Sequence, residues 1–191
     1  MSAAHVAAGL DRLVALAAAS KTLAPLVARI AQGYVATLEG GGTLFFCGNG
    51  GSAADAQHLA TEYVVRYGRN RRALAAVALT TDTSLLTAAG NDLGFEHIFS
   101  RQVEALCRPG DLLVLHSTSG RSRNLIEAAR AARARHVRTV AFLGRDGGAL
   151  AGEVDEAVVV PSDDTAQIQV LHLVLEHLAV ELVESALLGP P

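Results

Sequence analysis

The chain has 191 residues, of which 50% are hydrophobic and 18% charged, and its formal net charge is −3. This length suits one domain with a sizeable core, since domains usually run to roughly 100–200 residues. The hydrophobic content excludes a disordered chain. A small negative charge provides no whole-molecule positive field for nucleic acid or anionic membranes. We therefore expect neither partner, and any anion site must be local.

Cysteine use and the apolar segments indicate a cytoplasmic protein. Cys47 and Cys107 are too few for a disulfide framework, and their apolar surroundings fit a reducing compartment. The N-terminal segment lacks the basic start of a signal peptide, and Asp11 and Arg12 interrupt its apolar stretch. The apolar run over 170–188 carries glutamates and histidines that argue against a membrane span. We expect a core or interface helix there.

The N-terminal region has helical periodicity. Helices are predicted at about 3–19 and 21–38, and the glycine triplet 40–42 ends the second. We predict that residues 1–40 form a helical hairpin that is used in oligomerisation. Long surfaces rich in Ala and Leu favour packing against sister subunits.

Short apolar runs then alternate with helical segments. The predicted buried strands are 43–47, 74–79, 111–116, 138–143 and 157–160. The predicted helices are about 52–66, 83–89, 95–106, 122–135 and 164–187. This alternation favours a doubly wound parallel sheet. The predicted fold is α/β, with a five-stranded parallel sheet flanked by helices, flavodoxin-like, in a single domain over 1–191 whose α/β core is 41–191.

The first predicted strand ends in a glycine-rich turn, CGNGGS, from Cys47 to Ser52, which passes directly into a helix. Glycines let backbone N–H groups approach a ligand closely, and a helix N-terminus adds donors with partial positive charge. Ser52 is the natural N-cap. Taken by itself, the turn fits either an anion site or a tight turn without a ligand, and it lacks the ending of a P-loop.

The third predicted strand ends in STSGRS, residues 117–122, again before a helix. Hydroxyls grouped around a glycine can bind phosphate oxygens, while the helix dipole and backbone donors stabilise the charge. Helix capping would use one hydroxyl rather than the whole group. We therefore predict a phosphate cradle at this turn.

The run CGNGGSAADAQH over 47–58, together with STSGRS, resembles the sugar isomerase (SIS) fold. More narrowly, it is similar to the phosphoheptose isomerases of bacterial heptose biosynthesis. GNDLGF at 90–95 and RDGG at 145–148 also match. The resemblance extends over about 23–187, which is nearly the whole chain.

The resemblance implies an aldose–ketose isomerase. Its reaction would convert sedoheptulose 7-phosphate to D-glycero-D-manno-heptopyranose 7-phosphate through an enediol, as the first step of ADP- or GDP-heptose biosynthesis for lipopolysaccharide. It also implies a homotetramer that has active sites at subunit interfaces and acts on a small-molecule sugar phosphate.

His58 and Glu62 lie four residues apart on one face of the predicted helix after the glycine-rich turn. The spacing suits a shared metal ion, and it equally suits a surface hydrogen bond. By the resemblance, Gln169 and His177 complete a site for one Zn²⁺ per subunit. These two residues are about 12 Å apart along a straight helix. We therefore predict that a neighbouring subunit donates at least one of them.

The resemblance also assigns catalytic and binding roles. Glu62 is the base, His177 is the complementary acid and zinc is the electrophile. A zinc-bound carboxylate is a weaker base, so it stays open whether Glu62 leaves the metal during turnover. The implied substrate-binding residues surround the two turns and the metal: Asn49, Gly50, Gly51, Ser52, Glu62, Asn91, Asp92, Ser117, Thr118, Ser119, Ser122 and Gln169. Of these, Asp92 could equally be a helix cap.

The chain departs from the family pattern at Arg121, His116 and Gln167, where the family often has Asn, a hydrophobic residue and a basic residue. Arg121 could strengthen phosphate binding or point to solvent. We expect His172 to be structural, because it faces a different side of its helix from His177. These departures bear on the substrate more than on the reaction.

Other functions are found on the same fold. A non-catalytic SIS-fold tetramer that binds the bacterial replication initiator lacks the catalytic carboxylate and the final histidine, so Glu62 and His177 favour an enzyme. A sugar-phosphate-sensing regulator would carry a DNA-binding helix-turn-helix, which we do not expect here. An isomerase of another sugar phosphate stays open, because a few contacts decide substrate identity.

Overall fold

A five-stranded parallel sheet forms the centre of the protein. The computed structural model describes residues 2–189; Met1, Pro190 and Pro191, which the single-domain prediction includes, lie outside the described residues. The strands are β1 (Leu44–Gly48), β2 (Ala76–Ala78), β3 (Leu112–Ser117), β4 (Arg138–Gly144) and β5 (Glu156–Val160). Their spatial order is β2-β1-β3-β4-β5, and every pairing is parallel. This is the flavodoxin-like order of a doubly wound sheet, so the predicted fold class is confirmed.

The central strands are buried on both faces. β1 and β3 are buried along their whole length, which explains why each is a continuous apolar run in the sequence. The predicted strand bounds agree with the structure to within one residue at each end, except at 74–79. That strand shortens to Ala76–Ala78 because it lies at the sheet edge and pairs with β1 alone.

The described residues form seven α-helices. They are α1 (Ala3–Ala19), α2 (Ala24–Glu39), α3 (Gly51–Val64), α4 (Thr83–Asp92), α5 (Ser100–Leu106), α6 (Arg123–Ala134) and α7 (Thr165–Leu188). The Asp82 side chain accepts a hydrogen bond from the Leu85 N–H and caps α4, and Asp164 caps α7 in the same way. The predicted helix 95–106 is instead a 3₁₀ turn at Phe95–His97 followed by α5.

Two apolar layers hold the helices on the sheet. α2, α3 and α7 contribute to one layer, which includes Ile30, Val114 and Val180. α5 and α6 contribute to the other, which includes Leu113 and Leu115. Successive residues of β3 point to opposite faces, as a strand requires. Because α2 shares its layer with α7 and the strands, the N-terminal helical region is part of the main core.

The predicted N-terminal hairpin is wrong. α1, the 3₁₀ turn Ser20–Leu23 and α2 form one helical run, Ala3–Glu39. Ala19 and Ala24 keep right-handed helical dihedrals on either side of the turn, so the chain does not reverse there. Pro25 lies within the first two positions of α2, where a missing N–H costs least. The polar residues Ser20, Lys21 and Thr22 lie in the 3₁₀ turn, where the helix is wound more tightly.

Two apolar stripes are exposed on the helices. The N-terminal helical run is long and apolar enough to cross a membrane by length and composition alone, and 22% of its most apolar window is buried within the chain. The stripes consist of Val6, Leu10 and Val14 on α1, and Val170, Val174, Leu178 and Leu182 on α7. A groove of about 650 Å³ lies between the N-terminal run and α7. Contiguous apolar patches of this kind are typical of contact surfaces.

One carboxylate ties the segment after α3 to α7. Glu184 accepts hydrogen bonds from the backbone N–H groups of Tyr67, Gly68 and Arg69 at 3.0–3.1 Å, and from Arg71 Nε at 2.9 Å. The side chains of Arg71 and Glu184 are 1% and 4% exposed. Burial raises the pKa of Glu184, but these hydrogen bonds outweigh burial and hold the pKa below its ordinary value of 4.5.

Glu184→Gln is expected to lower the free energy of unfolding by about 3 kcal/mol, because it removes one partner of a buried ion pair. The wild-type advantage is expected in full above pH 4.5, the ordinary pKa, and it shrinks as the pH falls through the depressed pKa of Glu184. Urea denaturation of both proteins at several pH values measures this difference. Glu181→Gln, which alters an exposed carboxylate on the same helix, is the control, and an equal loss there would contradict the prediction.

Candidate active site and metal centre

Glycines make the loop after β1 compact. Gly50 adopts φ of +57°, in the left-handed region that favours glycine. A Cβ on Gly48 would lie 2.5 Å from the Ser52 carbonyl oxygen, and one on Gly51 would lie 2.6 Å from the Gln169 amide nitrogen. Gly50 occupies the N-cap position of α3, so the prediction that Ser52 caps this helix is wrong. Ser52 lies in the first turn of α3, where it is buried.

Hydroxyls shape the loop after β3. Ser117 Oγ accepts a hydrogen bond from the Gly120 N–H at 3.0 Å, and Ser119 Oγ accepts one from the Arg121 N–H at 3.2 Å. Each serine acts here as an acceptor and keeps its O–H as a donor for a ligand. Ser122 stands at the N-cap position of α6, and within residues 2–189 its hydroxyl makes no capping hydrogen bond.

A reciprocal amide pair joins the two loops. Asn49 Nδ2 donates to Asn124 Oδ1 at 2.9 Å, and Asn124 Nδ2 donates to Asn49 Oδ1 at 2.8 Å. Asn124 lies in the first turn of α6 and is 2% exposed. Its role could not be predicted from the sequence, because an Asn inside a helical pattern has no distinguishing spacing. The pair holds the glycine-rich loop against the start of α6, which directly follows the serine-rich loop. Thr118 in that loop is half-buried.

Three potential metal ligands meet between α3 and α7. One ligand atom from each of His58, Glu62 and His177 lies within 4.8 Å of the others. His58 Nε2 lies 2.9 Å from His177 Nε2 and 3.3 Å from Glu62 Oε1. A tetrahedral zinc ion with bonds of about 2.0–2.1 Å separates its ligand atoms by roughly 3.3 Å. The structure therefore contains a possible His/Glu/His metal site.

The environment of His177 suits metal binding. Burial lowers the pKa of this imidazole and His58 lowers it further, against an opposing effect of Glu62. The neutral imidazole that these effects favour is the form that binds a metal. The Tyr67 ring lies beside His177, with the centroids 5.4 Å apart and an interplanar angle of 33°. Like Asn124, Tyr67 could not be predicted from the sequence as a neighbour of the site.

Gln169 lies apart from His177 on α7. Its amide packs on Gly51 at the start of α3, whereas His177 reaches His58 and Glu62 further along that helix. Within the chain, His177 meets His58 and Glu62 because α3 runs beside α7. That a neighbouring subunit donates at least one of Gln169 and His177 stays a prediction.

Asn91 and Asp92 lie at the exposed C-terminal end of α4. Asn91 Nδ2 donates to Asp92 Oδ1 at 2.7 Å. Asp92 is the last residue of α4, so the alternative role as an N-terminal helix cap is wrong.

Arg121 forms a 2.6 Å ion pair with Asp146. Hydrogen bonding to Arg121 lowers the pKa of the Asp146 carboxyl.

Two further histidines near the loops are fully buried. His172 Nε2 donates to the Leu143 carbonyl oxygen at 2.9 Å. Burial lowers the pKa of His172 to about 4, which agrees with the structural role expected for it. His116 contacts the carboxylate of Glu176.

The flavodoxin-like sheet and the two loops at the carboxyl ends of β1 and β3 define a sugar isomerase domain. A family model described as the SIS domain matches residues 11–144. This match extends from the N-terminal helical run to the end of β4.

Comparison with whole proteins shows which kind of SIS-domain protein this chain resembles. The phosphoheptose isomerase of Roseiflexus sp. is 53% identical over 167 residues, which cover 87% of this chain and 85% of that protein. That of Akkermansia muciniphila is 50% identical over 182 residues, which cover 94% and 96%. The solved phosphoheptose isomerase of Neisseria gonorrhoeae matches with a TM-score of 0.89 and 45% identity, over 95% of this chain and 97% of that one. The chain belongs to the phosphoheptose isomerase family of SIS-domain proteins, and it is an isomerase of a small-molecule sugar phosphate.

Asn124→Leu is expected to raise KM for the sugar phosphate about tenfold, because it leaves the Asn49 amide unpaired and loosens the contact between the loops. The change in kcat is expected to be smaller, since Asn124 does not reach the His58 cluster. Steady-state kinetics measure both constants. Leu125→Ala, which opens a cavity at the next buried position, is the matched control. A similar KM for the two variants would show that general destabilisation explains the effect.

Proposed function

We propose that the protein is a zinc-dependent aldose–ketose isomerase that converts sedoheptulose 7-phosphate to D-glycero-D-manno-heptopyranose 7-phosphate. The observation that carries the proposal is the convergence of His58, Glu62 and His177 within 4.8 Å, on helices that border the two loops. The names of the relatives support a heptose phosphate as the substrate. This reaction would be the first step of ADP- or GDP-heptose biosynthesis for lipopolysaccharide.

The donor set fits zinc, which accepts imidazole and oxygen ligands. His58, Glu62 and His177 would hold one ion per subunit, and Gln169 would complete the coordination from this chain or a neighbour. When bound, the ion would polarise the substrate carbonyl as a Lewis acid.

Glu62 and His177 would carry the proton transfers. The enediol forms when a proton leaves C1 of the ketose and O2 gains one, and the aldose forms when O1 loses a proton and C2 gains one. Glu62 would act at the carbon atoms, because its side chain is 16% exposed and largely shielded from water. His177 would exchange protons with the two oxygens.

The phosphoryl group would bind between the N-terminal ends of α3 and α6. These ends supply backbone N–H donors and partial positive charge. The hydroxyls that would join them are those of Ser52, Ser117, Thr118, Ser119 and Ser122. The sugar would contact Asn49, Gly50, Gly51, Asn91, Asp92 and Gln169.

The exposed apolar stripes of α1 and α7 support a homotetramer with active sites at the subunit interfaces. Residues 1–40 would serve assembly, and 41–191 would form the α/β core of one domain. An apolar groove between these helices is the kind of surface that a second copy buries. We place the enzyme in the cytoplasm, and a net charge of −3 gives no reason to expect nucleic-acid or membrane partners.

Glu62→Gln and His177→Gln are each expected to lower kcat for sedoheptulose 7-phosphate by about 10²–10⁴-fold, because each removes a group that transfers protons. Aldose formation by purified, zinc-loaded protein measures the loss. Near wild-type turnover by both variants would disprove the assigned roles.

Glu104→Gln, which alters a surface carboxylate away from the cluster, is the control for Glu62→Gln.

A panel of ketose 5-, 6- and 7-phosphates tests the identity of the substrate in the same assay. A higher kcat/KM for another member of the panel would replace sedoheptulose 7-phosphate in the proposal. Wild-type activity that survives full removal of zinc by a chelator would contradict the metal requirement.

Leu182→Glu is expected to shift the tetramer to smaller species, because it places a charge in the apolar stripe of α7. Size-exclusion chromatography with light scattering measures the mass. Leu106→Glu alters an exposed leucine outside both stripes and is expected to leave the mass unchanged. An unaltered tetramer in Leu182→Glu would show that this stripe lies outside the interface.

A further inference from the structure

A buried histidine–carboxylate pair lies next to the proposed site residues. His116 and Glu176 are 0% and 1% exposed. His116 Nε2 lies 2.8 Å from both carboxylate oxygens of Glu176, and Nδ1 donates to the Cys47 carbonyl oxygen at 3.3 Å. Neither side chain is accessible to a substrate, and the proposed reaction uses neither.

The pair joins three elements that carry the site. His116 directly precedes Ser117 of the serine-rich loop, and Glu176 directly precedes His177 on α7. Cys47 lies near the end of β1, just before the glycine-rich loop. One imidazole ring therefore connects the ends of β1 and β3 to the helix that carries a proposed metal ligand.

Stacking and hydrogen bonds fix the orientation of the His116 ring. Phe46 and Phe142 stack on it, with centroids 6.3 and 5.9 Å away and interplanar angles of 16° and 20°. Burial lowers the pKa of His116, but Glu176, Asp55 and the hydrogen bond to the Cys47 carbonyl oxygen together outweigh burial and raise it. Both ring nitrogens lie within hydrogen-bond distance of oxygen atoms, so the ring is held on both sides.

An apolar pair would fill this space with equal or greater stability, since buried ion pairs seldom exceed well-packed hydrophobic residues. The pair differs from apolar packing because its hydrogen bonds form only when the partner atoms are at fixed positions. Rotating α7 by one residue, or sliding it by one turn, would leave two buried polar side chains without hydrogen-bond partners, which is unfavourable. Apolar side chains on α7 tolerate such shifts more readily, because they have no fixed partner atom.

We propose that His116 and Glu176 are positioning residues that fix the rotation and axial register of α7, and so hold His177 against His58 and Glu62 at a spacing that a metal ion can bridge. This inference rests on the proposed function. Its readout is the affinity of the apoprotein for zinc, because positioning acts on the ligand set before any substrate binds.

The test compares wild type with the double variant His116→Leu/Glu176→Leu, in which both polar side chains are replaced by apolar ones. The double variant is expected to keep or raise Tm. Its Kd for zinc is expected to rise about tenfold or more, the size of effect seen when groups that orient metal ligands are lost. The absorption spectrum of the Co²⁺-loaded protein is expected to change, and kcat to fall with little change in KM.

Val183→Ala is the matched control, because it opens a cavity on the buried face of α7 without touching the pair. It is expected to lower Tm while the zinc Kd and the Co²⁺ spectrum stay at their wild-type values. A double variant with wild-type Kd and spectrum would overturn the proposal. So would an equal loss of zinc affinity in Val183→Ala, since destabilisation alone would then explain the effect.

Glu176→Gln decides the question if the double variant does not fold. Its amide keeps one acceptor for His116, so a rise in zinc Kd of about threefold or more supports positioning, and a wild-type Kd overturns it. Wild-type protein that binds no zinc would remove the proposed metal function and this inference with it. Wild-type binding that the variants leave unchanged would remove this inference alone.

Discussion

The packing of α7 along α3 and the sheet is the contact on which the rest of the site depends. The buried face of α7 includes Ile168, Leu171, Ala179, Val180 and Val183, each at most 2% exposed. A fully buried aliphatic side chain contributes about 1.5–3 kcal/mol, so this face supplies enough stability to carry polar groups on the same helix. Polar side chains along α7 then meet defined partners. Gln169 packs on Gly51 near the start of α7, and Glu184 binds the segment after α3 near its end.

The folding pattern was predictable from the sequence where local rules decide it. β1 and β3 are continuous apolar runs because helices cover both faces, and the two loops follow the ends of these strands. His58 and Glu62 could be paired because a separation of four residues places them on one helix face. The predicted N-terminal hairpin was wrong because local rules do not decide the structure there. Ser20–Leu23 is short and mostly polar, and packing against α7 decides whether a helix continues through it.

The contacts that assemble the site could not be predicted, because they join residues far apart in the chain. His58 meets His177, Asn49 meets Asn124 and His116 meets Glu176. No local spacing connects the members of such a pair. Helical rise separates Gln169 from His177 along α7, but it carries no information about where α3 lies. The start of α3 was likewise set by the positive φ of Gly50 and not by a serine cap.

The makeup of the serine-rich loop has a consequence for the range over which the proposed phosphate site would attract a substrate. Its donors are hydroxyls and peptide N–H groups, and its cation, Arg121, is already neutralised by Asp146. Dipoles act over a few ångströms, well inside the roughly 8 Å screening length of physiological saline. Capture at the proposed phosphate site would therefore depend on close fit and respond little to ionic strength. Free polyanions would gain no advantage there over a single correctly shaped phosphate ester.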